Sequence, residues 1–230
     1  MARSEPVLLV HGWASSFERN WREPGWVDLL SEAGREVIGV DMLGHGSADK
    51  PHDPEAYARL EDDVASALPE QGQVDAIGFS LGARVLLRVV ASNPDRFARV
   101  VVAGVGQNLF GGGGGGRVGG RSLTDDDVEG RSPIGAALSH FAQSPGNDAE
   151  ALAACLRRPS SPLTAEELGR IACPVLVVIG EKDFAGPAEP LADALGDAKL
   201  VKLSGLDHFG TPKDFRFIDA ALEFLDAIPT

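Results

Sequence analysis

Short aliphatic runs rich in β-branched residues recur along the chain, at Val7–Val10, Glu36–Val40, Val74–Phe79, Val100–Val105, Val175–Ile179 and Ala198–Leu203. Most are apolar almost throughout, as strands covered on both faces are. Between them apolar residues recur at helical spacing. Trp26, Leu29, Leu30 and Ala33 form one such set, and Tyr57, Leu60, Val64 and Leu68 another. Val85, Leu86, Val89 and Val90 form a third, stopped by Asn93–Pro94. A last helix is predicted over Phe215–Ile228, with Phe217, Ile218, Ala221, Phe224 and Leu225 along one side. Strands alternating with helices predict an α/β fold: a doubly wound, mostly parallel sheet of about six strands with helices on both faces. In such sheets the chemistry gathers at the carboxyl ends of the strands.

The pattern breaks in the middle. Gly111–Gly116 is an unbroken glycine run, followed closely by Gly119, Gly120 and the acidic run Asp125–Asp127. Glycine offers no side chain to pack and loses the most backbone entropy on ordering, so a mobile loop is expected there. The chain therefore divides into a core, residues 1–106 and 169–230, and a short insertion, residues 107–168.

Composition narrows the options. A length of 230 residues with 43% hydrophobic and 24% charged residues suits one globular domain. The formal net charge of -13 repels phosphate backbones and anionic lipid surfaces, which argues against nucleic-acid and membrane partners. No run approaches the roughly 18 apolar residues of a membrane helix. Met1–Pro6 lacks the basic start and apolar stretch of a secretory leader, so a cytoplasmic location is expected. Cys155 and Cys173 make neither a disulfide framework nor a four-ligand metal site and read as inert buried thiols, and no metal or cofactor is expected.

Candidate chemistry sits at the ends of the runs. The third run ends in Gly78-Phe79-Ser80-Leu81-Gly82 and passes straight into a helix, the strand–turn–helix context of a nucleophile elbow. The helix start behind Ser80 favours a developing anion. The first run ends in His11-Gly12-Trp13 and the second in Asp41-Met42-Leu43-Gly44-His45-Gly46-Ser47. The fifth ends in Gly180-Glu181-Lys182-Asp183, and the sixth is followed by Gly205-Leu206-Asp207-His208-Phe209.

With these motifs in this order, serine then acid then histidine, the chain resembles the α/β-hydrolase family, in its branch of esterases, lactonases and C–C hydrolases. The resemblance covers nearly the whole length and includes Ala48-Asp49-Lys50-Pro51. It implies that Ser80 is the nucleophile, His208 the general base and Asp183 the acid that orients it. The Trp13 and Leu81 backbone N–H groups are implied to form the oxyanion hole. The resemblance also implies that residues 107–168 form a cap, and that the antiparallel strand pair which usually opens these enzymes is missing here. Serine rather than aspartate at the elbow sets the chain apart from the family's dehalogenases.

The chemistry of the residues supports each role. A serine hydroxyl needs an adjacent base at neutral pH. Histidine exchanges a proton in that range, and a buried carboxylate holds its tautomer. Among the other histidines, His11 and His45 read as loop scaffold, His52 as solvated and His140 as a cap residue. Asp41 reads as a loop brace and Asp207 as a loop carboxylate. Phe79, Leu109, Phe110, Phe141, Phe184 and Phe209 are expected to line the acyl pocket. The expected function is a serine hydrolase acting on a small ester or lactone as its partner molecule. C–C bond hydrolysis, acyl transfer and a slow ligand receptor on the same triad are the alternatives.

Overall fold

The aliphatic runs become strands because their β-branched side chains fit a pleated surface buried on both sides. The computed structural model describes residues 3–110, 117–118, 121–122 and 133–229. Its first half comprises β1 (Val7–Val10), α1 (Trp26–Glu32), β2 (Val37–Val40), α2 (Leu60–Ser66), β3 (Val74–Phe79), α3 (Leu81–Ser92) and β4 (Phe97–Ala103). The insertion holds two paired two-residue strands, β5 (Arg117–Val118) and β6 (Arg121–Ser122), then α4 (Pro133–Ala142), α5 (Ala149–Arg157) and α6 (Ala165–Leu168). The chain ends with β7 (Val175–Gly180), α7 (Glu189–Ala194), β8 (Ala198–Leu203) and α8 (Phe215–Phe224). The polyglycine run Gly111–Gly116 and the acidic run Asp125–Asp127 lie outside the described residues.

One six-stranded sheet runs in the order β2-β1-β3-β4-β7-β8, and every neighbouring pair is parallel. The expected fold is the observed one. Side chains alternate across each strand, so registered rows face opposite layers. Leu8, Ala76, Val100 and Val175 form one row, packed with α2, α3 and α7. The next row, Leu9, Ile77, Val101 and Leu176, packs with α1 and α8. In that second layer Trp26 stands edge-on to Trp21 and Phe217, and its indole N–H donates to the Pro212 carbonyl at 2.9 Å.

The bounds of the fourth strand and of the last helix are among those that differ from the sequence pattern. The fourth strand starts at Phe97, ahead of the Val100–Val105 run, because Phe97 is buried although Arg99 interrupts the apolar stretch. It stops at Ala103, where Gly104 takes a φ of 68°. The last helix ends at Phe224: Leu225 caps it and Asp226 turns left-handed at φ 50°.

At the end of the sheet opposite the strand carboxyl termini, Arg35 and Asp75 form an ion pair with both side chains fully buried. Arg35 also donates to the Glu5 carbonyl at 2.8 Å and to the Leu225 carbonyl at 3.0 Å, tying the first strand, the third strand and the last helix together. Removing one member of such a pair strands the other charge out of water, typically at about 3–5 kcal/mol. No helix among the described residues is long and apolar enough to cross a membrane.

Candidate active site

Ser80 occupies the sharp turn between β3 and α3 with φ 53° and ψ -112°, a conformation costing a non-glycine residue about 1–3 kcal/mol. The turn is held because its backbone is tied on both sides. Ser80 N–H donates to the Ala103 carbonyl at 2.8 Å, and Arg84 N–H donates to the Ser80 carbonyl at 3.1 Å. The flanking glycines are required by space. A Cβ on Gly78 would stand 2.8 Å from the Ala83 Cα, and one on Gly82 would stand 2.4 Å from the carbonyl oxygens of Val10 and His11.

Three strand ends converge here. The Ser80 hydroxyl lies 2.9 Å from His208 Nε2, and His208 Nδ1 lies 2.9 Å from both carboxylate oxygens of Asp183. An ionised carboxylate only accepts, so Nδ1 carries the proton and Nε2 presents a lone pair to the serine. The Asp183 side chain is fully buried, and its Oδ1 also accepts from Ala185 N–H at 2.8 Å. The His208 ring lies 4.2 Å from Phe184 and 5.0 Å from Phe79, centroid to centroid. Those rings pack against the imidazole, which is buried. Asp207 is exposed and turns away, accepting from Gly210 N–H at 2.9 Å.

The loop after β1 faces the serine. Gly12 N–H is taken by Asn20 Oδ1 at 3.0 Å, from a single π-helical turn at Glu18–Arg22. Among the described residues no protein acceptor meets the backbone amide of Trp13 or of Leu81, and both residues line the cavity beside Ser80. The Leu81 amide opens α3, where the first N–H groups have no partner within the helix.

A cavity of about 440 Å³ lies over the triad, with the insertion supplying one wall. Phe79, Phe141, Phe184 and Phe209 line it, together with Trp13. Leu109 and Phe110 do not. Leu109 is fully buried in the core beneath the sheet's first layer, and Phe110 packs against the same cluster, because the short helical turn at Gln107–Leu109 points them inward. Several contacts near the cavity pin the insertion. Trp13 Nε1–H donates to the Leu152 carbonyl at 3.1 Å, the Asn147 amide donates to the Ala14 carbonyl at 3.0 Å, and Phe141 stacks on Phe209 at 4.7 Å.

Residues the sequence pattern did not single out also line the cavity: Arg19, Asn20, Glu23, Arg84, Asn108 and Arg158. Arg84 had a local signal, since it stands one helical turn after Ser80. Asn20 and Arg158 had none.

The remaining polar residues brace loops. Met42 N–H donates to His11 Nε2 at 3.2 Å, so His11 Nδ1–H donates to the Gly12 carbonyl at 2.7 Å. Burial lowers the His11 pKa. His45, with its ring 5.1 Å from that of His11, is pushed down to about 3, chiefly by burial and then by the neighbouring imidazole. Burial works to raise the Asp41 pKa, but hydrogen bonds from Phe17 N–H and from the Ser47 N–H and hydroxyl hold it below the ordinary value. His52 is exposed and meets Asp148 and Glu150, and His140 is exposed beside Phe141. Burial pushes the thiols of Cys155 and Cys173 up to about 11, which leaves them protonated at neutral pH. No cluster of three or more His, Cys, Asp or Glu side chains suited to a metal occurs among the described residues.

Comparison with known proteins places this geometry. The family model described as the alpha/beta hydrolase family matches residues 7–226. A haloalkane dehalogenase of Psychrobacter cryohalolentis is 36% identical over 111 residues, which covers 42% of this chain and 32% of that protein. The chain thus matches about a third of the length of such curated relatives. The crystal structure of a bromoperoxidase from Bacillus anthracis superposes with a TM-score of 0.75 at 24% identity, over 98% of this chain and 93% of that one. That of the esterase RhEst1 from Rhodococcus sp. ECU1013 gives 0.67 at 23% identity, over 98% and 91%. At such identities the likeness is one of fold.

Proposed function

Because the chain belongs to the alpha/beta hydrolase family, we propose that it is a serine hydrolase that opens a small carboxylic ester or lactone through an acyl-enzyme on Ser80. The observation that carries this reading is the unbroken relay of 2.9 Å contacts from Ser80 Oγ through His208 to Asp183. As Oγ bonds to the substrate carbonyl carbon, His208 Nε2 takes the hydroxyl proton, and Asp183 stabilises the imidazolium without taking a proton itself. The carbonyl electrons move onto oxygen, which settles against the Trp13 and Leu81 amides. One such donor is worth roughly 3 kcal/mol in subtilisin. Collapse expels the alkoxide, which receives the proton from Nε2; from a lactone it stays tethered to the acyl group. Water then gives its proton to the same nitrogen as it bonds to the acyl carbon; collapse breaks the acyl–Oγ bond, Ser80 takes the proton back from Nε2, and the acid leaves.

The identity of the nucleophile favours acyl substrates over alkyl halides. A carboxylate displacing a halide forms an ester that water reopens. A serine displacing a halide forms an ether, which has no carbonyl to attack and ends turnover. Residues 107–168 act in this reading as a cap, with Leu138, Phe141 and Leu156 shielding the acyl group.

The test is labelling by a fluorophosphonate, followed by peptide mass spectrometry, beside turnover of p-nitrophenyl acetate and butyrate. Label on Ser80, many turnovers, and loss of nearly all hydrolysis in a folded Ser80→Ala variant are expected. Label elsewhere, or activity surviving Ser80→Ala, refutes the nucleophile. A single burst without turnover refutes the hydrolase and favours a ligand receptor.

A further inference from the structure

The chain is acidic, with 34 Asp and Glu against 21 Lys and Arg. The described residues that line the cavity over Ser80 have the opposite balance. Among them are four cations, Arg19, Arg84, Arg158 and Lys213, and a single carboxylate, Glu23. Cations concentrated in a concave, partly apolar site on an anionic protein focus a positive potential there.

Arg158 is the most telling of the four. It follows α5 directly, lines the cavity and is only 6% exposed. Its guanidinium gives one hydrogen bond through Nη1 to the Cys155 carbonyl at 2.7 Å and lies 3.9 Å from the Cys155 sulfur. No carboxylate of the described residues pairs with it. Removing a cation from water without a counter-charge costs several kcal/mol, and buried arginines are ordinarily paired for that reason. The planar fork also matches a carboxylate in two parallel hydrogen bonds.

We propose that Arg158 forms an anion subsite in the reaction cavity, and that the substrate is a small ester bearing a free carboxylate away from the carbonyl that Ser80 attacks. This builds on the serine-hydrolase reading and narrows its substrate class. The carboxylate enters on either the acyl or the alcohol side of the ester, and the guanidinium holds it while the triad works on the other end. Arg84, which donates to the Asn108 carbonyl at 3.0 Å, lines the same cavity.

Two matched pairs of esters test it. Monomethyl glutarate is compared with methyl 5-methylhexanoate, and 4-acetoxybutyrate with 4-methylpentyl acetate; each neutral partner replaces the carboxylate by an isopropyl group of the same shape. Hydrolysis is followed by pH-stat. A preference for the charged ester of at least roughly tenfold in kcat/KM is expected in one pair, and the pair identifies the side. That ratio is expected to collapse toward one in Arg158→Met and to be partly kept in Arg158→Lys. Equal or faster hydrolysis of the neutral ester in both pairs overturns the proposal, and this comparison uses the unaltered protein, so it stands even if Arg158→Met fails to fold. Calorimetry with glutarate reads the subsite without turnover. Glutarate bound but no ester cleaved refutes the serine-hydrolase reading and leaves the subsite. Neutral esters cleaved but no glutarate bound refutes the subsite alone.

Discussion

Asp183 meets His208 Nδ1 with both oxygens while also accepting from Ala185 N–H, so its carboxylate fixes the ring from a rigid, buried seat. Asp183→Asn keeps the size of the side chain but offers the imidazole a donor in place of an acceptor, which favours the wrong tautomer. In a serine protease the equivalent change lowers kcat about ten-thousandfold. A loss of at least about a hundredfold is expected here, measured near pH 8 with folding checked by circular dichroism. Asp207→Asn serves as the control. Its carboxylate is exposed and occupied by Gly210 N–H, so its field at the ring is weak and salt-screened. Activity lost in Asp207→Asn and kept in Asp183→Asn would reverse the assignment. Ser80, Asp183 and His208 were readable residue by residue because each sits in a short turn whose neighbours announce it. Arg158 was unreadable, because what distinguishes it is burial with no carboxylate partner among the described residues.

At the scale of elements, the site depends on how closely α3 presses on β1. Gly82 is the contact point, with the Val10 and His11 carbonyls where a methyl group would stand. Gly82→Ala should lever the start of α3 away from the sheet, moving the Ser80 hydroxyl and the Leu81 amide together. Overpacking of this kind costs about 1–3 kcal/mol, and backbone atoms cannot yield as a side chain would. Lower stability in urea and a drop in kcat of more than about tenfold are expected, since misplacement near 1 Å can cost a hundredfold. Wild-type stability and kcat in Gly82→Ala would show that the helix has room to spare. The strand runs and the elbow helix were legible as elements because hydrophobic period and length agree. The start of β4 was not, since Arg99 breaks the apolar run while Phe97 is buried only by its neighbours in the sheet.

For the molecule as a whole, two buried histidines link folding to pH. His45 is held down to about 3 in the folded protein against an ordinary value near 6.5, and burial lowers His11 as well. A histidine with a depressed folded pKa binds its proton mainly in the unfolded chain, so stability is complete above about pH 6.5 and falls as pH drops toward the folded value. From His45 alone the slope is about 1.4 kcal/mol per pH unit, or about 2 kcal/mol lost by pH 5. Urea unfolding at pH 7.5 and 5.0 should show this loss, and His45→Asn should reduce it by about one proton's worth. Equal losses in both proteins would refute the linkage. What the chain declares by itself is whatever depends on neighbours in sequence: the alternation of strands and helices, hence the parallel sheet, and the strand-end motifs of Ser80, Asp183 and His208. Tertiary structure alone decided the rest. Asp75 and Arg35 stand 40 positions apart and find each other only in the folded sheet. Leu109 and Phe110 turned into the core rather than the cavity. The cations that line the cavity, Arg19, Arg84, Arg158 and Lys213, are scattered through the sequence, and charge in a cavity is a sum over space that no local pattern records.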